Sequence, residues 1–265
     1  CSSDLWNVVS STDTVAITSS DVAATLPANA ALVSGTKTFN VTFNTAGSRT
    51  VTATDVTNGA ITASTGASTT VNTASVSAAT STFTRSPASI TADDTTTSTI
   101  TVTLKDGSNN GVAGKTVTLA QAGGSSTISA ASGASDAGGV VTFTVKSKVA
   151  ESVTYTATDT TDNVIVTQTA SVTFTAGAAN KLQVLMPGET AAPGTVSGKT
   201  GTPTAQTAGS AVTATVRMVD QFFNLVSSTD TVAITSSDTN ATLPANAALT
   251  AGSGTFNVTF KTAGS

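Results

Sequence analysis

The sequence predicts an all-β chain of tandem β-sandwich modules, and three observations carry that prediction. Val, Ile and Phe alternate with polar residues in many short runs, the period-2 pattern of half-buried strands. Thr, Ala, Ser, Val and Gly dominate, charged residues are only 10%, and branching at Cβ suits Thr and Val to a pleated sheet. Third, the stretch 10–48 returns as 227–265, displaced by 217 residues. The copies differ only where Val22, Ala23, Val33, Ser34, Thr36, Lys37 and Asn44 face Thr239, Asn240, Thr250, Ala251, Ser253, Gly254 and Lys261. So close a copy, so far along, marks a repeat array. The alternation also separates the chain from a disordered Ser/Thr/Gly-rich one.

The elements follow in order. Trp6-Asn7-Val8-Val9-Ser10 match Phe223-Asn224-Leu225-Val226-Ser227, which follow a strand-like run at 211–219. Residues 1–3 are too few to supply that run, so the chain is expected to open inside a module. Strands are expected at 12–18, with Val15 and Ile17 turned inward, and at 38–45, where Phe39, Val41 and Phe43 alternate with polar neighbours. Leu26-Pro27-Ala28-Asn29 reads as a turn, because proline fixes φ and lacks a donor. Gly47-Ser48 is expected to break the second strand. Strands at 49–55, 60–63 and 68–76, around a turn at Asn58-Gly59, complete the module.

A second module occupies 77–176. Its expected strands are 89–92, 98–105, 115–120, 125–129, 140–146, 152–158 and 164–175, with turns at 106–111 and 136–139. Seven strands in about 100 residues is the spacing of a sandwich. Val102, Leu104, Val117, Phe143, Val145 and Tyr155 are its expected core. A third module starts near Gly177, with strands at 181–186 and 211–219, the latter carrying Val212, Val216 and Val219. The Gly- and Pro-rich stretch 187–210 is an excursion inside it.

The domains are therefore 1–76, 77–176 and 177–265. An outer module assembled from 177–265 and 49–76 has 117 residues and the middle one 100, which together fill the 217-residue period. Two module types are expected to alternate. The first would lack its opening strands and the last its closing ones, leaving unpaired strand edges.

In the middle module, Ser89-Ile90-Thr91-Ala92-Asp93, Ile100-Thr101-Val102-Thr103-Leu104-Lys105-Asp106, Gly111-Val112-Ala113-Gly114-Lys115-Thr116-Val117 and Tyr155-Thr156-Ala157-Thr158-Asp159 occur in that order. This ordered set resembles the bacterial immunoglobulin-like domains of the invasin/intimin type across nearly all of 85–175. The flanking modules resemble it more weakly, through Val219-Asp220, Asn224-Leu225 and Val51-Thr52-Ala53-Thr54-Asp55. The resemblance implies immunoglobulin-like sandwiches in an elongated array on an extracellular bacterial surface protein. In invasin-like proteins such domains form a stalk between a β-barrel anchor and a receptor-binding tip. Neither anchor nor tip is expected within these residues, so no receptor carries over.

Composition narrows the chemistry. A net charge of −4 without a basic patch argues against nucleic acid. No run of about 18 apolar residues suggests a membrane span. Cys1 is the single cysteine, so no disulfide staples the chain. With no His, Ser–His–Asp and Cys–His catalysis are excluded. Glu151 and Glu189 are the only glutamates and lie in different modules, which disfavours a paired-carboxylate glycosidase. Gly123-Gly124 and Gly138-Gly139 lack the strand–loop–helix setting of a phosphate loop and read as hairpin turns. Asn40-Val41-Thr42, Asn240-Ala241-Thr242 and Asn257-Val258-Thr259 have the form of glycosylation acceptors but fit plain strand and turn composition. Neither a catalytic set nor an organic cofactor is expected.

Two candidate sites remain. Asp93 and Asp94 with Asp159 and Asp162 could bind calcium at a module end, or serve as solvated turn carboxylates. Trp6, Phe222 and Phe223 occupy equivalent hairpins of the outer modules, where they stack on sugar or cover the end of a core. Two functions follow. One is a structural stalk or filament spacer whose partners are neighbouring repeats, head to tail, and beyond them a host or bacterial surface. The other is a carbohydrate- or surface-binding module attached to an enzyme elsewhere. Near-identity of distant copies favours the spacer, because a stalk needs every module and a binding site does not.

Overall fold

The computed structural model describes residues 7–264. Regular structure there is entirely β, and no helix is long and apolar enough to cross a membrane. The described residues group into two compact units. One holds residues up to Thr82 with Thr103–Lys115 and Ser135–Val140; the other holds Phe83–Val102, Thr116–Ala134 and the chain from Val141 onward.

In the first unit, β1 (Thr14–Ser19), β2 (Ala30–Ala31), β4 (Val51–Asp55) and β5 (Ser64–Thr65) form a sheet in the order β2-β1-β4-β5, while β3 (Gly47–Arg49) pairs with β6 (Thr69–Val71). β1 runs antiparallel to β4 from Val15 opposite Asp55 to Ser19 opposite Val51. Three expectations fail here. The stretch 38–45 is not a strand, and only Thr42 bridges to Thr25. Gly47-Ser48, expected to break a strand, instead begins β3. The pairing expected at 60–63 comes later, at β5, because 59–61 are taken up by the turn in which Ile61 N–H donates to Asn58 O at 3.1 Å. The unit also holds the 103–115 segment, fastened where Leu104 N–H donates to Gly139 O (2.8 Å) and Ser135 Oγ to Val112 O (2.7 Å).

In the second unit, β7 (Thr82–Ser86), β9 (Ser98–Thr103), β11 (Thr127–Ile128) and β12 (Val140–Lys146) pair in the order β11-β12-β9-β7. β8 (Ser89–Thr91), β10 (Val117–Ala122), β13 (Ser152–Asp159) and β15 (Ala170–Thr175) pair as β10-β13-β15-β8, with β14 (Val164–Ile165) on β13. β8 lies parallel to β15. Alternate side chains along these strands are buried: Ile100 and Val102, Phe143 and Val145, Val153, Tyr155 and Ala157. The expected inward set is buried throughout. Burial pushes the Tyr155 hydroxyl above its usual pKa, opposed by its 2.6 Å hydrogen bond with Ser126 Oγ. β7 had no counterpart in the sequence reading, and the expected 164–175 strand is two pieces.

The same unit contains β16 (Lys181–Leu185), β17 (Glu189–Ala191), β18 (Lys199–Gly201), β19 (Ala211–Val219), β20 (Thr231–Val232), β21 (Ala247–Ala248) and β22 (Ser253–Thr259). β19 sits between β16 and β22. The 187–210 excursion is a hairpin, β17 on β18, closed by Lys199 Nζ to Glu189 Oε1 at 2.7 Å. Val216, Val232, Leu249 and Phe256 pack together. Their burial is 4% exposure or less, whereas the copies Val15, Leu32 and Phe39 are only half-buried.

That contrast explains the missing strand at 38–45. The identical sequence Phe256-Asn257-Val258-Thr259 is in β22 because β19 pairs with it, Phe256 opposite Ala214 and Val258 opposite Val212. Among the described residues no strand takes the place of β19 beside 38–41. A strand without a partner leaves backbone donors and acceptors open, so sequence preference alone does not make one. The converse also holds: the copy of β1 shrinks to the two residues of β20, since nothing pairs there as β4 does with β1. Elsewhere the copies agree closely. Gly35 and Gly252 have φ of 83° and 82°, and a Cβ would lie 2.0 Å from Val9 O in one and 1.9 Å from Val226 O in the other.

Candidate functional site: two aspartate–asparagine turns

The spacing Asp-x-x-x-Asn follows three strands, as Asp106/Asn110, Asp159/Asn163 and Asp220/Asn224, and the first of these, in the first unit, and the last, in the second, share one bonding pattern. An aspartate there folds the turn over its own carboxylate, accepting backbone N–H groups downstream. Asp106 Oδ1 accepts from Ser108 N–H and Asn110 N–H, both at 2.9 Å. Asp220 Oδ1 accepts from Phe222 N–H (2.8 Å) and Asn224 N–H (2.9 Å). The second oxygen takes the Asn side chain, with Nδ2 of Asn110 and of Asn224 each 2.9 Å from Oδ2 of its aspartate.

The same oxygens reach out to distant segments. Asp106 Oδ2 accepts Ala74 N–H at 3.1 Å, and Asp220 Oδ2 accepts Gly177 N–H at 2.9 Å. Asn110 Nδ2 donates to Asn44 O (3.1 Å) while its Oδ1 accepts Ala46 N–H (3.2 Å). Asn224 Nδ2 donates to Lys148 O (2.9 Å) while its Oδ1 accepts Ala150 N–H (2.7 Å). A backbone N–H only donates and a carbonyl only accepts, so each amide orientation is fixed. Each turn thus ties together a strand end, the segment leading into that strand set and a loop of the preceding set.

Asp106, Asp220 and Asn224 are buried. Burial would raise the Asp106 pKa, but hydrogen bonds from the Asn110 side chain and backbone, Ala74 and Ser108 outweigh it and hold the carboxyl below its usual range. The turns differ in their centres. Asn109 and Phe223 both have positive φ, 68° and 67°. Asn tolerates that conformation, whereas for Phe it is strained. The Phe223 ring is braced: Lys181 Nζ lies 3.6 Å from its centroid, and a Cβ on Gly198 would come within 2.0 Å of it. Lys148 Nζ is 5.9 Å from the Phe222 centroid. Both rings are half-buried and engaged within the chain. Trp6 lies outside the described residues.

The four carboxylates considered for calcium do not converge. Asp93 and Asp94 follow β8, whose Thr91 lies opposite Thr175, beyond the point where Thr173 meets Ser152. Asp159 ends β13 at the other extreme, roughly 23 Å along the strand. Asp93 is occupied by Thr96 Oγ1 (2.7 Å) and the Thr96 and Thr95 N–H groups, which lower its pKa. Asp94 pairs with Lys146 (3.5 Å) and Lys148 (3.4 Å). Asp159 is fully buried with Oδ1 on Thr161 N–H (2.9 Å) and Oδ2 unpartnered, and Asp162 lies in the following turn. Among the described residues no three His, Cys, Asp or Glu side chains are grouped to hold a metal. In sequence Asp106, Asn110, Asp220 and Asn224 look like turn residues. The Asp-x-x-x-Asn spacing alone does not single them out, because Asp159 and Asn163 share it at the end of β13.

Residues 80–175 match the family model described as bacterial Ig-like domain (group 1). The all-β chain is built from several small sheets, and those within 80–175 lie in the Ig-like match. Similar solved structures include invasin, titled a bacterial integrin-binding protein, at 19% identity and TM-score 0.45, over 98% of this chain and 50% of that one. The Escherichia coli adhesin FdeC matches at 17% identity and TM-score 0.49, over 97% of this chain and 80% of that one. InvD of Yersinia pseudotuberculosis matches at 19% identity and TM-score 0.46, over 97% and 76%. The chain spans half the length of the invasin structure. No curated protein matches the sequence.

Proposed function

We propose that this chain is a structural spacer from an extracellular bacterial surface protein, divided at about residues 77 and 177, with no catalysis of its own. Its partners are neighbouring modules, and the two Asp–Asn turns are the joints. The observation that carries this reading is the recurrence of one bonding pattern at both places: the same Asp oxygens, the same Asn amide, and a carbonyl and N–H two residues apart in the preceding strand set. Polar groups buried for a ligand would be left open toward a cavity; these are all consumed within the chain. The near-identical copies 10–48 and 227–265 support the same reading, since a spacer gains reach from each repeat. Small-angle scattering on the chain and on versions lengthened by whole 217-residue periods tests it. The spacer reading expects a maximum dimension that grows in proportion to the number of modules; a compact particle whose dimension barely grows would contradict it.

A further inference from the structure

The loop 261–263 is the copy of the loop 44–46, and it is built in the same way. In the first copy Asp21 Oδ2 accepts Asn44 N–H (2.8 Å) and Thr45 N–H (3.0 Å), and Oδ1 accepts Thr45 Oγ1 (2.8 Å). In the second, Asp238 Oδ2 accepts Lys261 N–H (2.7 Å) and Thr262 N–H (3.0 Å), and Oδ1 accepts Thr262 Oγ1 (2.8 Å). The bridge from Thr25 to Thr42 recurs as Thr242 to Thr259. The change from Asn44 to Lys261 leaves the loop intact, because the loop contributes only backbone groups to its contact. In the first copy Asn44 O and Ala46 N–H hold the Asn110 amide, and residues 44–46 are half-buried. In the second, residues 261–263 are exposed.

We propose that Lys261 O and Ala263 N–H form a docking site for the Asn110 side chain of a further module of the 77–176 type. This rests on the reading of the turns as joints. The chemistry selects the occupant. A carbonyl and an N–H projecting together are satisfied by a group that carries a donor and an acceptor on one carbon, the primary amide. A carboxylate would set an acceptor against the carbonyl, and an ammonium a donor against the N–H. Asp238 gives the loop its shape before the partner arrives, which lowers the ordering cost of docking.

The test continues the full chain past Ser265 with residues 49–265 of a second copy, which preserves the 217-residue spacing. Amide hydrogen exchange is then followed at Ala46, Ala150 and Ala263, with and without the continuation. Docking is expected to slow exchange at Ala263 by about tenfold or more. Asn110→Ala in the second copy alone should restore the original rate, leaving Ala46 and Ala150 unchanged. If Ala263 exchanges equally fast in both chains while Ala46 and Ala150 stay protected, the docking site is overturned and the joints stand. If Ala46 and Ala150 themselves exchange like open amides, the joint reading fails and the docking site falls with it.

Discussion

Asn224 and Asp220 are bound to each other twice, through Asn224 N–H to Oδ1 and Nδ2 to Oδ2, both at 2.9 Å. The asparagine is thereby pre-aimed at Lys148 O and Ala150 N–H. Asn224→Ala removes the amide and leaves those two groups and a buried carboxylate oxygen short of partners. A buried group stripped of its hydrogen bond costs roughly 1–3 kcal/mol. Denaturant unfolding should show a loss in that range for Asn224→Ala, and a smaller one for Asn110→Ala, whose side chain is only half-buried. A loss below about 0.5 kcal/mol at residue 224 would mean that the contact is incidental.

Gly198→Ala should disturb the second turn from the far side. The new Cβ would sit 2.0 Å from the Phe223 ring, and φ at this glycine is +71°. We expect a loss of roughly 1–3 kcal/mol. Part of it should disappear in the Gly198→Ala, Phe223→Ala double variant, because one clash is counted in both single changes. Strict additivity would show that the ring does not rest on Gly198.

Acid should loosen the receiving loops before it affects the cores. Asp238 is held at about 2, below its usual 3.8, by Thr262 N–H, Lys261 N–H and the Thr262 hydroxyl. Asp21 is held at about 2 as well; burial opposes this but is outweighed by the Thr45 backbone and hydroxyl and by Asn44 N–H. A carboxyl whose folded pKa lies below its unfolded value stabilises fully above the unfolded value, and that contribution is lost as pH falls through the folded one. Thermal stability should therefore hold level above about pH 5 and decline between about 3.8 and about 2. The Asp21→Asn, Asp238→Asn variant should decline less steeply there. An unchanged slope would show that these carboxylates are not linked to stability.

Phe143, 4% exposed on β12, tests the core. Phe143→Ala should cost roughly 3–5 kcal/mol in denaturant unfolding. A loss under about 1 kcal/mol would place the ring on the outer face.

The middle sandwich was legible because the partners of all its strands lie within residues 82–175. β12 falls where alternation placed it, and Tyr155, Phe143 and Val102 are inside. The outer strand sets were less legible for a physical reason. Thr-Phe-Asn-Val-Thr is a strand at 255–259, where β19 pairs with it, and not at 38–42, where among the described residues only the Thr42 bridge to Thr25 forms. Alternation reports what a strand would bury and says nothing of whether a partner is present. The joints were legible only as turns. Asp106 and Asp220 look like ordinary turn aspartates, and the contacts that distinguish their turns lie 32 to 76 residues away in sequence. Asp93 and Asp159 bracket a strand-rich stretch of the sequence, and strand direction sets them at opposite ends.

The account turns on Asn224 fixing the strand set β16, β19 and β22 to the set β10, β13 and β15. Residual dipolar couplings measured on the intact chain, with and without Asn224→Ala, test this most directly. The account predicts that both strand sets report one common alignment tensor in the unaltered protein. In the variant they should report two, with the couplings inside each set still fitting its own fold. One shared tensor in both proteins, or two tensors in both, would contradict it.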